Sequence, residues 1–313
     1  MASTHILIIL SSYAMCSFAA AHSHIPYENN ILERESDGSY KPKDWGHYKD
    51  ERHNSEFDHE AIIGSVKEAQ EFDKLSPEES QRRLADMLPK IDLNNNQQIE
   101  REELEQWILN NFEKLSQEDA EDQMKEIDEN GDGVVSWTEY FRDAFGVDDE
   151  IEASEDDLGE NGMKAMWAAA DKNGNGELDI KEFEVFRNPE EHSLMYPYLI
   201  NQTMREKDYD GDGHIDFHEY IGHEYWLAAE KEKFTYELDL DSDGKLNLAE
   251  VEQWIIPNNK LIAAEEVEHL FAAADDDNDD VLSFPEVLRH YDLFVGSEVT
   301  DYGDMLHEQR DEL

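Results

Sequence analysis

About two thirds of the way along the chain, the segment DYDGDGHIDFHE carries oxygen-bearing side chains at regular spacing. They fill positions 1, 3, 5, 9 and 12 of the segment: Asp208, Asp210, Asp212, Asp216 and Glu219. Gly213 stands at position 6, where the backbone must turn sharply, and the carbonyl of His214 would supply position 7. Calcium is a hard cation that takes six to eight oxygen ligands, and alternate residues of a tight loop can surround one ion. The spacing therefore predicts a calcium-binding loop closed by a bidentate glutamate.

Five further segments repeat this spacing, so the pattern is an internal repeat. Three match it fully and run from Asp128 to Glu139, from Asp171 to Glu182 and from Asp239 to Glu250. Two more run from Asp92 to Glu103 and from Asp275 to Glu286. In these two, Gln97 and Asp280 stand where glycine is expected, so weak or absent binding stays open there. A repeat of this kind is typical of EF-hands, and four full matches are hard to explain as an accident of an acidic chain.

Position 8 of each loop is an independent check on this interpretation. It is aliphatic in all six segments: Ile99, Val135, Leu178, Ile215, Leu246 and Leu282. In paired EF-hands this residue lies on a short strand that joins one loop to another, and so short a ribbon needs an apolar face to persist. An acidic low-complexity tract would not place an aliphatic residue there six times. The sequence therefore predicts loops that pair through position 8.

The predicted ligands are positions 1, 3, 5, 7 and 12 of each loop, with position 7 contributing its backbone carbonyl. In the first three loops they are Asp92, Asn94, Asn96, Gln98, Glu103, Asp128, Asn130, Asp132, Val134, Glu139, Asp171, Asn173, Asn175, Glu177 and Glu182. In the last three they are Asp208, Asp210, Asp212, His214, Glu219, Asp239, Asp241, Asp243, Lys245, Glu250, Asp275, Asp277, Asp279, Val281 and Glu286. Calcium is the expected cofactor, with four sites from the full matches and up to six in all.

Apolar residues at helical spacing flank the loops, which predicts an all-α fold of six helix–loop–helix units. Pairing by adjacency predicts three pairs of hands, at residues 76–147, 158–224 and 225–296. Ser76 is expected to begin the helix that enters the first loop, and Ser116 the helix that enters the second. Residues 22–75 are expected to form a polar, acidic and disordered arm, to which Phe57–Phe72 adds a short helix.

Histidines of this arm raise the question of transition-metal binding. His22, His24, His47, His53 and His59 all fall within it. No tight ligand spacing supports a site, so they are expected to be solvated.

Composition limits the partners. The chain has 26 basic and 78 acidic residues, a formal net charge of −52. Such a chain repels nucleic acid and anionic membrane surfaces and attracts divalent cations. It also repels itself, so we expect a monomer whose fold depends on calcium.

The two ends of the chain predict a secretory location. Residues 1–21 contain an apolar run and end in Ala19-Ala20-Ala21, as a cleaved signal peptide would, although a membrane anchor or a buried helix are alternatives. The only cysteine, Cys16, falls in that segment. The tail, residues 297–313, ends in RDEL, close to the retrieval signals of the endoplasmic reticulum. We expect the endoplasmic reticulum lumen, or the Golgi or partial secretion, with no membrane span in the mature chain. Asn201 begins a glycosylation sequon.

Taken together, these features resemble the CREC group of reticulocalbins and calumenins. FDKLSPEESQRRL, at Phe72–Leu84, and FVGSEVTDYGDML, at Phe294–Leu306, are similar to calumenin. The resemblance extends from about residue 40 to the C-terminus. It implies a low-affinity calcium binder of the secretory pathway that associates with other luminal proteins. Gln97, Asp280 and the arginine of RDEL depart from the family pattern.

The expected function is a non-catalytic calcium buffer that is also a calcium-dependent adaptor or chaperone-like regulator of client proteins. The alternative is an accessory subunit or regulator of a luminal folding or modifying enzyme. The six hands occupy residues 76–294, which leaves no room for a catalytic domain. The sequence also has no nucleophile elbow, no C-x-x-C motif, no phosphate loop and no H-E-x-x-H motif.

Overall fold

The computed structural model describes residues 38–44, 47–49, 52–53, 55–145, 158–222 and 228–296. Its first half contains β1 (Tyr48–Lys49), β2 (Arg52–His53), α1 (Glu56–Ile63), α2 (Val66–Phe72), α3 (Pro77–Ile91), β3 (Gln98–Ile99), α4 (Arg101–Ile127), β4 (Val135–Ser136) and α5 (Trp137–Phe145). The predicted signal peptide, residues 146–157 between the second and third hands, and the RDEL tail lie outside the described residues.

The second half repeats the same alternation of helix and short strand. It contains α6 (Leu158–Ala170), β5 (Glu177–Leu178), α7 (Ile180–Arg187), a 3₁₀ turn (Pro189–Glu191), α8 (Tyr196–Lys207), β6 (Ile215–Asp216), α9 (Phe217–Ile221), α10 (Ala228–Lys233), a π-helical turn (Phe234–Leu238), β7 (Lys245–Leu246), α11 (Leu248–Ile255), α12 (Asn259–Ala274), β8 (Leu282–Ser283), α13 (Phe284–Arg289) and α14 (Tyr291–Phe294). The fold is all-α with six helix–loop–helix units, as predicted. No helix in the described ranges is long and apolar enough to cross a membrane.

Local signals set several helix ends. Ser76 begins α3 as predicted, because its Oγ accepts the backbone N–H of Glu79 at 3.4 Å. Each of the six loops begins at an aspartate whose own N–H caps the preceding helix. The loop thus starts where the helix must end.

The six loops pair in an order that the sequence analysis did not anticipate. Three antiparallel ribbons join β3 to β8, β4 to β5 and β6 to β7. Each ribbon places two position-8 residues opposite each other: Ile99 with Leu282, Val135 with Leu178, and Ile215 with Leu246. Pairing through position 8 is confirmed, but pairing by adjacency is wrong. Hand 1 pairs with hand 6, hand 2 with hand 3, and hand 4 with hand 5.

The cause is the continuity of α4. Its 27 residues form both the helix that leaves loop 1 and the helix that enters loop 2. At 1.5 Å per residue this helix is about 40 Å long, which holds the two loops at opposite ends. Ser116 begins no new helix; it lies buried within α4 and its Oγ donates to the carbonyl of Phe112 at 3.1 Å. Once loop 2 pairs with loop 3, the remaining loops pair as 4 with 5 and 6 with 1.

Two hydrophobic clusters form the core, and α4 contributes to both. Ile108 and Phe112 belong to a cluster built with α1, α2, α3, α12, α13 and α14. Met124 and Ile127 belong to a cluster built from hands 2 to 5. Trp167 and Trp254, which flank loops 3 and 5, are core residues of the second cluster and are only 5% and 6% exposed.

The N-terminal segment is folded wherever the structure describes it. Its predicted short helix occurs as the two helices α1 and α2, and Ile62 is fully buried. The side chain of Asn111, on α4, donates to the carbonyls of Ala61 and Ile62 at 2.8 Å. Further upstream, the N–H of Tyr40 donates to the carbonyl of Ile255 at 3.0 Å. The described residues between 38 and 75 therefore pack on the hands rather than extending away from them.

The pairing can be tested with engineered disulfides. Gln98→Cys with Ser283→Cys should cross-link under mild oxidation, because these residues are direct partners across β3 and β8. Partners of this kind have Cα atoms about 4.5–5.5 Å apart, within the span of a disulfide. Gln98→Cys with Ser136→Cys, the equivalent pair between loops 1 and 2, should stay reduced.

The readout is gel mobility and peptide mass with Cys16 replaced by serine in both variants. Cross-linking of the Gln98 and Ser136 positions, without cross-linking of the first pair, would contradict the observed order and restore pairing by adjacency.

Candidate calcium sites

The first aspartate of each loop organises the turn that follows it. In loop 4, Asp208 accepts the N–H groups of Gly211 at 2.8 Å and Asp212 at 3.2 Å through Oδ1, and that of Gly213 at 3.0 Å through Oδ2. In the glycine-lacking loop 1, Asp92 likewise accepts the N–H of Gln97 at 2.8 Å. One carboxylate therefore gathers successive amides and curls the backbone around a common centre.

The last glutamate closes the loop from the other end. In loop 4, Glu219 accepts the N–H of Asp216 at 2.9 Å through Oε2 and that of Tyr209 at 2.8 Å through Oε1. Because it is the third residue of α9 and Asp216 is the N-cap, the pair forms a capping box. The corresponding glutamates of all six loops are only 4–8% exposed: Glu103, Glu139, Glu182, Glu219, Glu250 and Glu286.

Position 5 fixes the predicted carbonyl ligand at position 7. In every loop the side-chain oxygen of position 5 accepts the N–H of position 7, at 2.8–3.1 Å. The position-7 residues are Gln98, Val134, Glu177, His214, Lys245 and Val281. Position 7 is thus held in the same local turn in all six loops.

Loops 4, 5 and 6 bring three carboxylates together. In each, an oxygen from positions 1, 3 and 12 lies within 4.8 Å of the other two: Asp208, Asp210 and Glu219; Asp239, Asp241 and Glu250; Asp275, Asp277 and Glu286. In loops 2 and 3, position 3 is an asparagine, and the side-chain N–H of Asn130 and Asn173 donates to the closing glutamate at 2.9–3.1 Å. Three converging carboxylates form an oxygen-rich centre of the kind that calcium requires.

The acidic residues of loop 6 lie close enough together to affect one another's ionisation. Desolvation and the charges of Asp279 and Glu286 raise the pKa of Asp277 above its usual range. A divalent cation would remove this repulsion, so the sixth loop retains the electrostatic character of a site despite its missing glycine.

The two loops without glycine adopt the same backbone as the others. The φ angle at position 6 is +65° for Gln97 and +67° for Asp280, against +84° to +88° for the four glycines. This left-handed conformation costs a non-glycine residue about 1–2 kcal/mol. Arg101 of loop 1 donates to the Asp280 carboxylate at 2.7 Å, so that side chain is held by the partner loop.

Position 4 is a second left-handed position that the sequence analysis missed. Glycine fills it in loops 2, 3 and 4, and a small polar residue fills it in the others: Asn95, Gly131, Gly174, Gly211, Ser242 and Asn278 all have positive φ. The signal was the recurrence of glycine and asparagine, residues that tolerate this conformation.

A lysine–aspartate ion pair links loops 4 and 5. The ammonium group of Lys245, at position 7 of loop 5, contacts the carboxylate of Asp212, at position 5 of loop 4. This contact lowers the pKa of Asp212. The paired loops therefore share charge as well as a ribbon.

The sequon at Asn201 lies on α8, where Asn201 is exposed and Thr203 is 1% exposed. Its glycosylation stays a prediction.

The fold and these loops define an EF-hand calcium-binding protein. The family model for an EF-hand domain pair matches residues 81–144, 160–223 and 231–291. Each matched segment contains two hands that are consecutive in the chain. Each β-ribbon, in contrast, joins hands from two different segments.

Reticulocalbin-2 of Crotalus adamanteus is 36% identical over 277 residues, covering 82% of this chain and 90% of the relative. Reticulocalbin-2 of Mus musculus is 35% identical over 283 residues, covering 84% and 88%. The chain therefore belongs to the reticulocalbin, or CREC, family of multiple EF-hand proteins.

Replacing Gln97 by glycine should stabilise the calcium-free protein by about 1 kcal/mol, because glycine adopts positive φ without the penalty that other residues incur. The measurement is the free energy of unfolding from urea denaturation. Gln98→Gly is the matched control: Gln98 lies in β3, is absent from the positive-φ residues, and should lose stability on gaining backbone freedom. Equal destabilisation by both changes would show that loop 1 has no left-handed strain.

Proposed function

We propose that this protein is a low-affinity calcium buffer of the endoplasmic reticulum lumen and a calcium-dependent adaptor for luminal client proteins. The observation that carries the proposal is the convergence of carboxylates in loops 4, 5 and 6 within a chain of net charge −52. Many oxygen-rich sites on a single acidic chain suit capacity better than switching. EF-hand modules that work in calcium-rich compartments bind at about 10⁻⁴–10⁻³ M.

The proposed ligands are positions 1, 3, 5, 7 and 12 of each loop. Support comes from the turn around the first aspartate and from the capping glutamate, which recur in the glycine-lacking loops. Location in the lumen rests on the predicted signal peptide and on the RDEL ending. Adaptor activity rests on the resemblance to the CREC group, and we expect no catalytic activity.

Two exposed leucines stand at the same position of their loops. Leu93 and Leu240, both at position 2, are 64% and 57% exposed. In each loop the N–H of that residue donates to the closing glutamate. Calcium binding to the glutamate would therefore change the surroundings of an exposed leucine, which gives the adaptor a calcium-responsive surface.

The test compares the chain with a variant in which the closing glutamates of loops 2 to 5 become glutamine: Glu139, Glu182, Glu219 and Glu250. Glutamine keeps a hydrogen-bond acceptor for the cap but loses the bidentate carboxylate. In secretory cells, the unaltered chain should enlarge the releasable luminal calcium store and capture a defined protein only when calcium is present. The variant, which keeps loops 1 and 6 intact, should enlarge the store less than the unaltered chain does and should capture less of that protein in calcium.

A control with the same change of charge replaces four exposed helix glutamates by glutamine: Glu102, Glu126, Glu232 and Glu252. It should behave as the unaltered chain does. An unchanged calcium store would contradict the buffer, and capture that is equal with and without calcium would contradict the adaptor.

A further inference from the structure

Four side chains of metal-binding types meet away from the EF-hand loops, where the N-terminal segment contacts α12. His47 precedes β1 and Asp58 lies in α1. Glu266 and His269 lie one turn apart on α12. Two imidazoles and two carboxylates from three parts of the chain thus lie near one another.

The cluster is close-packed and shielded from water. His47, Asp58 and Glu266 are 6%, 0% and 2% exposed, and each offers a ligand atom within 4.8 Å of the other two. Nε2 of His47 lies 2.7 Å from Oδ1 of Asp58, and Nε2 of His269 lies 3.7 Å from Oδ2 of Asp58. The His269 side chain is 33% exposed, so the cluster borders solvent on that side.

Glu266 is a buried carboxylate whose charge the surrounding fold does not satisfy. Among the described residues, neither of its carboxylate oxygens has a hydrogen-bond partner. Burying an unpaired carboxylate is strongly unfavourable, and native proteins rarely leave one unsatisfied. Desolvation, together with the charges of Asp58 and Asp44, raises the pKa of Glu266. A bound cation would satisfy both oxygens and offset the repulsion from Asp58.

We propose that His47, Asp58, Glu266 and His269 form a site for a zinc-class divalent cation, distinct from the calcium loops. Calcium takes only oxygen ligands, so the two imidazole nitrogens argue against a calcium site. Two histidines with two carboxylates match the ligands of zinc. Ligand atoms around tetrahedral zinc lie about 3.3 Å apart, so small side-chain rotations would close the present cluster.

The site would fasten the N-terminal segment to the pair formed by hands 1 and 6. Asp58 lies on α1, which packs against α4, and α12 enters loop 6. A metal ion there would cross-link residues far apart in sequence, with a stabilising effect that depends on the metal.

The proposal can be tested by titrating the chain from His22 to Leu313 with Co²⁺ and then with Zn²⁺ while visible absorption is recorded. The calcium concentration is kept high enough to fill the EF-hands. One Co²⁺ ion should bind with the strong visible absorption of four-coordinate cobalt, and Zn²⁺ should displace it. Glu266→Gln, nearly isosteric with the protonated side chain, should weaken this site by more than about tenfold. Glu265→Gln changes an exposed neighbour and should bind as the unaltered chain does.

Circular dichroism and calcium titration would show whether Glu266→Gln is folded. Should it not fold, His269→Gln at the partly exposed position gives the same comparison. Zinc should also raise the melting temperature of the unaltered chain more than that of either variant. Equal cobalt spectra and equal zinc affinity in the unaltered chain and the variants would overturn the proposal, as would cobalt binding only with the weak spectrum of an all-oxygen octahedral site.

Discussion

A single uninterrupted helix constrains the whole arrangement. Because α4 runs for 27 residues between loops 1 and 2, the two loops cannot share a ribbon. Its first half packs in one hydrophobic cluster and its second half in the other. Loop 1 is therefore left to meet the last loop of the chain, which brings the two ends of the repeat together through Ile99 and Leu282.

Within each hand, the closing glutamate joins folding to metal chemistry. It caps the exiting helix, it accepts amide hydrogen bonds in the loop, and its carboxylate faces the centre where calcium would lie. The same side chain thus holds the loop shape without metal and would complete the coordination shell with metal. Without metal, the loop is destabilised by electrostatic repulsion between the converging carboxylates, which a divalent cation relieves.

The local features of this protein could be predicted from sequence because each has a local cause. Ser76 caps a helix through its own neighbours, and position 8 is aliphatic because a short ribbon needs an apolar face. Ser116 shows where such reasoning stops. It carries the pattern of a helix N-cap, but it is buried between Phe112 and Glu191, so tertiary packing overrides the local preference.

The histidines of the N-terminal segment are a second case of this kind. They were expected to be solvated because nothing near them in sequence has ligand spacing, yet His47 and His59 are each 6% exposed. The groups that meet His47 come from α1 and α12, and only the folded chain brings them together. The pairing order of the loops and this cluster both depend on contacts between residues far apart in sequence. Periodicity and spacing report only on residues close together in sequence, so they could not predict either feature.

A calcium titration of the chain from His22 to Leu313, by calorimetry with far-ultraviolet circular dichroism, tests the central claim most directly. We predict at least four sites, from the four loops that match fully, with dissociation constants of about 10⁻⁴–10⁻³ M and helix gained on binding. Sites tighter than about 10⁻⁶ M would instead indicate a calcium sensor. An absence of binding would contradict the account altogether.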